Sequence, residues 1–371
     1  MTLDDPFAAA WAVVLDGSAR NAYAGAVALV LHRRGVVLRA ATGWACREPE
    51  RIPMTVETVF DLASLTKVVA TLPCILQLVA LGELDLETPV RTVLPPLRAA
   101  PWSGRVTVRQ LLSHTSGLPA WLPLYLRAHS PDEYLVAIAQ TELVAPPGTQ
   151  VIYSDLGFVL LGEIVRSLTG HDIATLARRE VFAPLSMHAT CFRPPPDLRP
   201  CSAATERGNA FERSRAGPPG ARYTPWREAV IWGEVHDGNA FYGLEAIAGH
   251  AGLFAPADDL ARFAQFWLDH GRWEVRQLLP SSLVSEATRP QAPGRGLGWM
   301  LAFSGTAAAR GLHPTAYGHT GFTGTSLWID PERELVIILL TNRVHPIVRA
   351  GIEAVRAAFT EAVARAAREV G

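Results

Sequence analysis

The sequence predicts an α+β fold in which both ends of the chain give strands to one antiparallel sheet and a mainly helical region is inserted between them. Three observations carry this. Two strand-like runs near the start, Gly25-Ala26-Val27-Ala28-Leu29-Val30-Leu31-His32 and Val36-Val37-Leu38-Arg39-Ala40-Ala41-Thr42-Gly43, are joined by a turn at Arg33-Arg34-Gly35 and read as an antiparallel pair. From Ser64 to about Leu185 the apolar residues recur at helical spacing with short loops between runs. Strand texture returns from about Gly298 to Leu340, and a helix from Pro346 to Val370 closes the chain. The expected division is a discontinuous α/β domain, residues 1–60 and 230–371, around a mainly helical subdomain, residues 61–229.

Taken in order, an amphipathic helix near Pro6 to Val14 leads into the first strand. Within the helical block, Pro73 lacks the N–H that would bond Val69, so the first helix is expected to kink or loosen there. Residues 190–226 are rich in Pro, Arg and Gly, as in Arg193-Pro194-Pro195-Pro196 and Ala216-Gly217-Pro218-Pro219-Gly220. A loop of that length in a compact domain is either a lid over a site or a disordered insertion. Helical periodicity resumes from Ala257 to Leu268.

The chemistry starts from a single residue. Of the 34 Lys and Arg side chains only Lys67 is a lysine, so every other cation is a guanidinium. A position that keeps an amine in such a sequence needs a group able to give up its proton, which arginine cannot do. Ser64 lies three residues earlier, in Phe60-Asp61-Leu62-Ala63-Ser64-Leu65-Thr66-Lys67, and residues i and i+3 of a helix share a face. This S-x-x-K spacing sets a weakly acidic hydroxyl beside a base. Alone it is common on solvated helix faces, but the run after Lys67, Val68-Val69-Ala70-Thr71-Leu72, is apolar and buries the amine. Two further motifs follow: Tyr153-Ser154-Asp155 between Pro146-Pro147-Gly148 and an apolar helical run, and His319-Thr320-Gly321 at the head of a strand-like segment.

Together, and in this order, the motifs resemble those of the serine β-lactamase and penicillin-binding-protein superfamily, nearest its class C and esterase-like branch. Leu111-Leu112-Ser113-His114-Thr115-Ser116-Gly117-Leu118-Pro119 and Gly249-His250-Ala251-Gly252-Leu253-Phe254 are similar to segments of that branch, and the similarity runs from about Gly25 to Asn342. The resemblance implies the β-lactamase/transpeptidase-like fold: an antiparallel sheet flanked by helices, an inserted helical subdomain and a site in the cleft, where unpaired N–H groups at a helix start stabilise developing negative charge. It implies Ser64 as the nucleophile that forms an acyl-enzyme, Lys67 and Tyr153 as the base system, and an oxyanion hole at the backbone N–H groups of Ser64 and Phe322. His319, Thr320 and Gly321 would border the substrate, and Arg343 would meet a substrate carboxylate.

Two departures bear on substrate. Asp155 stands where the family often has asparagine, and an ionised carboxylate accepts hydrogen bonds but donates none. Its charge also favours the ammonium form of Lys67, which moves proton abstraction toward Tyr153. His319 replaces a lysine used to attract carboxylates, and a neutral imidazole is a poorer anchor. The implied function is hydrolysis of an ester or small amide. A peptidoglycan-derived fragment is one such substrate, because Gly233-Glu234-Val235-His236-Asp237-Gly238-Asn239-Ala240 resembles members linked to such amidases. The alternatives are β-lactamase or D,D-carboxypeptidase activity, and a non-catalytic member that binds a peptide or wall fragment.

Composition sets the remaining bounds. A hydrophobic fraction of 49% is enough for a sizeable core, and a net charge of −1 with acids and arginines interspersed offers no nucleic-acid stripe or basic membrane helix. The start, Met1-Thr2-Leu3-Asp4-Asp5-Pro6, is acidic where a signal peptide is basic, and no apolar run reads as long enough for a membrane span. A cytoplasmic location is the expectation. Cys46, Cys74, Cys191 and Cys201 form no C-x-x-C pair and read as free, buried thiols. His236-Asp237 and His250 match no zinc spacing, so no metal or cofactor is expected. His114, His236 and His250 read as loop-fixing residues. Trp121, Trp232, Phe241 and Tyr242 are equally consistent with an acyl pocket and with core packing.

Overall fold

Seven antiparallel strands form the main sheet in the order Ile52–Pro53, Gly35–Cys46, Gly25–His32, Leu335–Thr341, Ser326–Asp330, Tyr317–Thr320 and Met300–Leu301. The first long strand lies beside the last, from Ala26 opposite Thr341 to His32 opposite Leu335, so the two ends of the chain close on one sheet as expected. Both central strands are buried along their whole length. Alternation explains why such apolar strands belong in the middle, since successive side chains point to opposite faces. Ala26, Ala28 and Val30 pack with Ile337, Leu339, Phe359 and Val363 under the helices Ala8–Ala19 and Ile352–Glu369. Val27, Leu29 and Leu31 join Ile338, Leu340 and Phe263 in the larger core, which continues into the helical region. This is a computed structural model and it describes residues 6–370; the Met1–Asp5 start, read above for export, lies outside them.

Local rules account for most boundaries. Arg33 and Arg34 both take positive φ, 49° and 66°, and His32 pairs with Gly35, so a two-residue turn links the first two strands. The closing helix starts at Ile352, later than the periodicity suggested, because Gly351 turns the chain at φ 97°. Pro73 does not kink a helix interior. Ala63–Leu65 forms a 3₁₀ turn, Lys67–Thr71 a π turn closed by Leu72 N–H on the Lys67 carbonyl, and Pro73 falls in the first turn of Leu72–Ala80, where a missing N–H costs least. Ala63–Ala80 is in fact long and apolar enough to cross a membrane, which corrects the sequence reading, but 72% of that window is buried inside the protein.

Residues 190–226 are not a bare loop. Cys191–Phe192 pairs with Leu253–Ala255, and short helices follow at Pro196–Leu198, Ala210–Arg215 and Gly217–Arg222. Backbone bonds tie the segment down, with Thr205 N–H on the Ile231 carbonyl and Gly208 N–H on the Ala229 carbonyl, both 2.8 Å. Tyr125, Tyr223, Trp226 and Tyr242 stack edge-on and tilted beneath it. Tyr242 therefore serves packing here, and Trp232 packs with Cys46 and Ala204 in a small separate cluster. The four cysteines are free; Cys46 and Cys74 are buried, but Cys201 is exposed.

Close backbone approach fixes the loop that reaches the candidate site. A Cβ on Gly249 would run into the Phe158 carbonyl oxygen and lie 2.9 Å from Gly162 N, on the helix Asp155–Thr169. Gly249→Ala is expected to lose about 1–3 kcal/mol of stability through overpacking and to lower turnover by displacing the next residue, His250. Urea unfolding beside a turnover assay checks this; a loss below ~0.5 kcal/mol would show that the contact relaxes freely.

Candidate active site

Asp61 organises the turn that presents Ser64. Its buried carboxylate accepts the Ala63 N–H at 2.8 Å and the His236 N–H at 2.7 Å, joining two segments far apart in sequence. Ala63 sits at φ 46°, a strained conformation for a residue with a Cβ, directly before Ser64. The loop after the His319-Thr320-Gly321 motif grips the same turn, with Thr323 Oγ1 donating to the Asp61 carbonyl at 2.7 Å and Thr325 Oγ1 to the Leu62 carbonyl at 3.0 Å. Gly321 has no room for a side chain, because a Cβ there would strike Thr325 Oγ1 and the Leu62 carbonyl. Phe322 is thereby set next to Ser64 at the cavity wall.

The side chain of Lys67 is wholly buried, and three oxygens receive its ammonium: Ser64 Oγ at 3.0 Å, the His250 carbonyl at 3.0 Å and Asp155 Oδ1 at 2.7 Å. Burial alone would push this amine down, but Asp155, with Tyr153 beside it, outweighs burial and raises it above its ordinary value. Lys67 is therefore charged and donates to Ser64 Oγ. Asp155 sits in the first turn of its helix, behind the Ser154 cap. Tyr153 precedes that cap, and its ring centroid lies 5.0 Å from Lys67 Nζ. His114 stacks on it at 4.5 Å and accepts the Ser154 N–H at its Nδ1, fixing the segment from the other side.

Ser64, Tyr153, Asp155 and Phe322 line one cavity of about 190 Å³, together with Trp121, His236, Asp237 and His250 and with Phe211, Glu212 and Arg215 from the 190–226 segment. A larger cavity of about 510 Å³ beneath Trp267 and Tyr317 holds none of the motif residues. The family model described as Beta-lactamase matches residues 11–362. The chain belongs to the Beta-lactamase family. It is 34% identical over 353 residues to the N-acetylmuramyl-L-alanine amidase of Bacillus subtilis (strain 168), covering 87% of this chain and 78% of that one. A penicillin-binding-protein homologue from Caulobacter crescentus has a similar structure, with TM-score 0.76, 23% identity and 98% of each chain covered. A class C β-lactamase from Rhodobacter sphaeroides aligns at TM-score 0.72 and 21% identity, covering 95% of this chain and 98% of that one. The protein is a serine hydrolase of this family with its β-lactamase/transpeptidase-like fold.

Within this Beta-lactamase family member, several residues stand elsewhere than the motifs suggested. His319 and Thr320 are not among the residues lining the cavity; His319 is buried behind Tyr153, with ring centroids 5.8 Å apart and its Nδ1–H on the Thr320 carbonyl at 2.8 Å. Arg343 is occupied, donating to the Phe322 carbonyl at 2.7 Å and the Arg349 carbonyl at 2.8 Å while lying over the Phe322 ring, so it supports that loop from outside the cavity. Trp121 lines the cavity under the Arg215 guanidinium, 4.2 Å from its ring centroid, whereas Phe241 packs against Arg227. His236 pairs with Glu206 at 3.0 Å and His250 with Asp237 at 2.9 Å, both holding loops as expected. Burial would raise Asp237, but His250 outweighs it and holds that carboxylate well below its usual range.

Sequence reasoning missed Asp61, Glu212 and Arg295, none of which lies in a spaced motif. Glu212 accepts the Gly238 N–H at 2.9 Å through Oε1, and Oε2 is buried without a partner. Burial first, and then the charge of Asp237, push its carboxyl well above the usual range. An acid raised in the folded state stabilises fully below its unfolded value and progressively less as pH rises toward the folded one. Glu212→Gln, which keeps the acceptor and removes the ionisable proton, should therefore melt higher than the parent protein, with the gap widening from pH 5 to pH 8. Thermal melting across that range checks it, and a lower melting temperature at pH 8 would contradict it.

Proposed function

We propose that the protein cleaves an ester or small amide through an acyl-enzyme on Ser64, with Tyr153 as the base that Lys67 supports. The observation that carries this is the direction of the Lys67 bond: a charged ammonium donating to Ser64 Oγ cannot also take its proton. Tyr153, on the same cavity wall and held by His114, is the remaining acceptor. In this reading the phenolate takes the Ser64 proton as Oγ bonds to the substrate carbonyl carbon. The oxyanion is met by the backbone N–H groups of Ser64 and Phe322. The phenol then protonates the leaving oxygen or nitrogen as its bond to carbon breaks. Water, losing a proton to the same phenolate, then bonds to the acyl carbon; the Oγ–carbon bond breaks to release the acid, and the phenol returns its proton to Ser64 Oγ.

For the substrate, we infer a polar fragment derived from peptidoglycan. Similarity to an N-acetylmuramyl-L-alanine amidase supports this, as does a cavity wall that combines the aromatic rings of Trp121 and Phe211 with Glu212 and Arg215. Classical β-lactams fit less well, because Asp155 is committed to Lys67 and His319 is buried away from the cavity.

Ser64→Ala is expected to abolish turnover and labelling by a fluorophosphonate without unfolding the protein; labelling that persists would refute the nucleophile. Lys67→Arg should be nearly as inactive as Lys67→Ala, since arginine keeps the charge but not the compact ammonium that fits three oxygens. Near-normal rates in Lys67→Arg would reduce this residue to a general electrostatic support. Assayed side by side, short p-nitrophenyl esters and muropeptide amides should give higher kcat/KM than nitrocefin, and a clear preference for nitrocefin would overturn the substrate reading.

A further inference from the structure

Over the Tyr153 ring lies a cation with no anion among the described residues. Arg295 belongs to a tight bend in which its own N–H bonds the Ala292 carbonyl at 3.0 Å and its carbonyl accepts the Gln291 N–H at 2.8 Å. The bend is tied to the segment preceding His114 through Gly298 N–H on the Leu112 carbonyl at 2.8 Å. The guanidinium carbon stands 5.3 Å from the Tyr153 ring centroid. Among the described residues no carboxylate lies within ion-pair reach of Arg295, and its Nη1 is buried without a hydrogen-bond partner. Arg295 is only partly exposed, and a guanidinium that buries one nitrogen without an acceptor is costly, so its position calls for a compensating charge.

The other groups facing Tyr153 do not provide one. Lys67 is neutralised by Asp155, its partner at 2.7 Å. His114 and His319 flank the ring, and each has an Nε2 without a partner. Both imidazoles are pushed well below their ordinary range, first by burial and then by Arg295 and Lys67, so both are neutral. With Tyr153 as a phenol the cluster of Lys67, Asp155, Tyr153, His114, His319 and Arg295 carries one uncompensated positive charge. With Tyr153 as a phenolate it carries none. Burial pushes the Arg295 guanidinium down, and its proximity to Tyr153 opposes this.

We propose that Arg295 is a positioning residue for catalysis: the counter-charge that holds and stabilises the Tyr153 phenolate while it takes the Ser64 proton, in the place that the neutral His319 cannot fill. This rests on the reading of Tyr153 as the base. Arg295 touches neither the substrate nor Ser64 and acts only through the phenol.

The test uses the full chain, with p-nitrophenyl acetate turnover and fluorophosphonate labelling measured from pH 5 to pH 10. Arg295→Met should lower kcat/KM at pH 7 by roughly 10²-fold, as for loss of one preorganised electrostatic group, and move the acid limb of the profile upward by about one pH unit or more. Arg295→Lys should restore most of the rate and return the limb toward its original position. Should Arg295→Met melt early, Arg295→Gln, which keeps a donor without the charge, replaces it with the same expectation. A rate within about twofold of the parent, or a slower rate with an unmoved limb and no rescue by lysine, would overturn the proposal in favour of plain packing. Tyr153→Phe, measured in parallel, separates the two readings. If it is severely impaired and adding Arg295→Met causes no further loss, the pair acts as one unit. If it is mild, the base assignment itself falls and the role of Arg295 with it. If it is severe while Arg295→Met alone is mild, only the Arg295 proposal fails.

Discussion

The buried Lys67–Asp155 ion pair is the constraint from which the rest of the site follows. An ammonium with no solvent exposure is tolerable only if polar groups compensate it, and here the Asp155 carboxylate pairs with it while the His250 carbonyl and Ser64 Oγ accept hydrogen bonds from it. Each oxygen comes from a different part of the chain, so satisfying one side chain fixes the nucleophile turn, the start of the Asp155–Thr169 helix and the loop at His250 relative to one another. The glycine contact between Gly162 and Gly249 allows that loop to come close enough. Removing one partner from such a pair typically costs about 3–5 kcal/mol, so fold and chemistry are stabilised by the same contact.

The π turn at Lys67–Thr71 belongs to the same logic. A regular α-helix would carry its hydrogen bonds straight through Pro73, which has no N–H to give. Widening the preceding turn leaves Pro73 at the start of the α segment while keeping Lys67 and Ser64 within 3.0 Å. The proline that read as a defect in the helix is the point from which a regular helix begins.

What was legible in the sequence was whatever repeats with a period or sits at a fixed spacing. Gly25–His32 and Ala257–Leu268 fall on the expected boundaries, because alternation or helical periodicity is unbroken there and a turn or proline stops it. Ser64, Lys67, Tyr153 and Asp155 could be named together because motif order limits where they can be, and the structure brings them to one place. Asp61, Glu212 and Arg295 were not, because a buried carboxylate or guanidinium takes its meaning from what the fold sets against it, and neighbours in sequence say nothing of that. Arg343 and His319 show the opposite case. Each sits at a motif position, yet Arg343 is spent on two backbone carbonyls and His319 is turned into the interior.

The charges around the cavity sort into two kinds. Asp61 is held by two N–H groups, Asp237 by His250, Glu206 by His236 and Asp155 by Lys67, so each of these has a fixed partner. Such pairs set geometry and do not respond to substrate. Glu212, on the cavity wall, and Arg295, beside the Tyr153 ring, each leave one buried polar atom without a partner. A buried polar atom without a partner raises the free energy of the resting protein, and that energy is recovered when a complementary charge or hydrogen bond arrives. In the proposed mechanism the complement on the Tyr153 side is the phenolate that must already be present before Ser64 is deprotonated. Arg295 would then act before the chemical step, by raising the fraction of molecules in which Tyr153 is ionised and able to accept a proton, while the charge that the reaction creates on the substrate oxygen is met by backbone N–H groups.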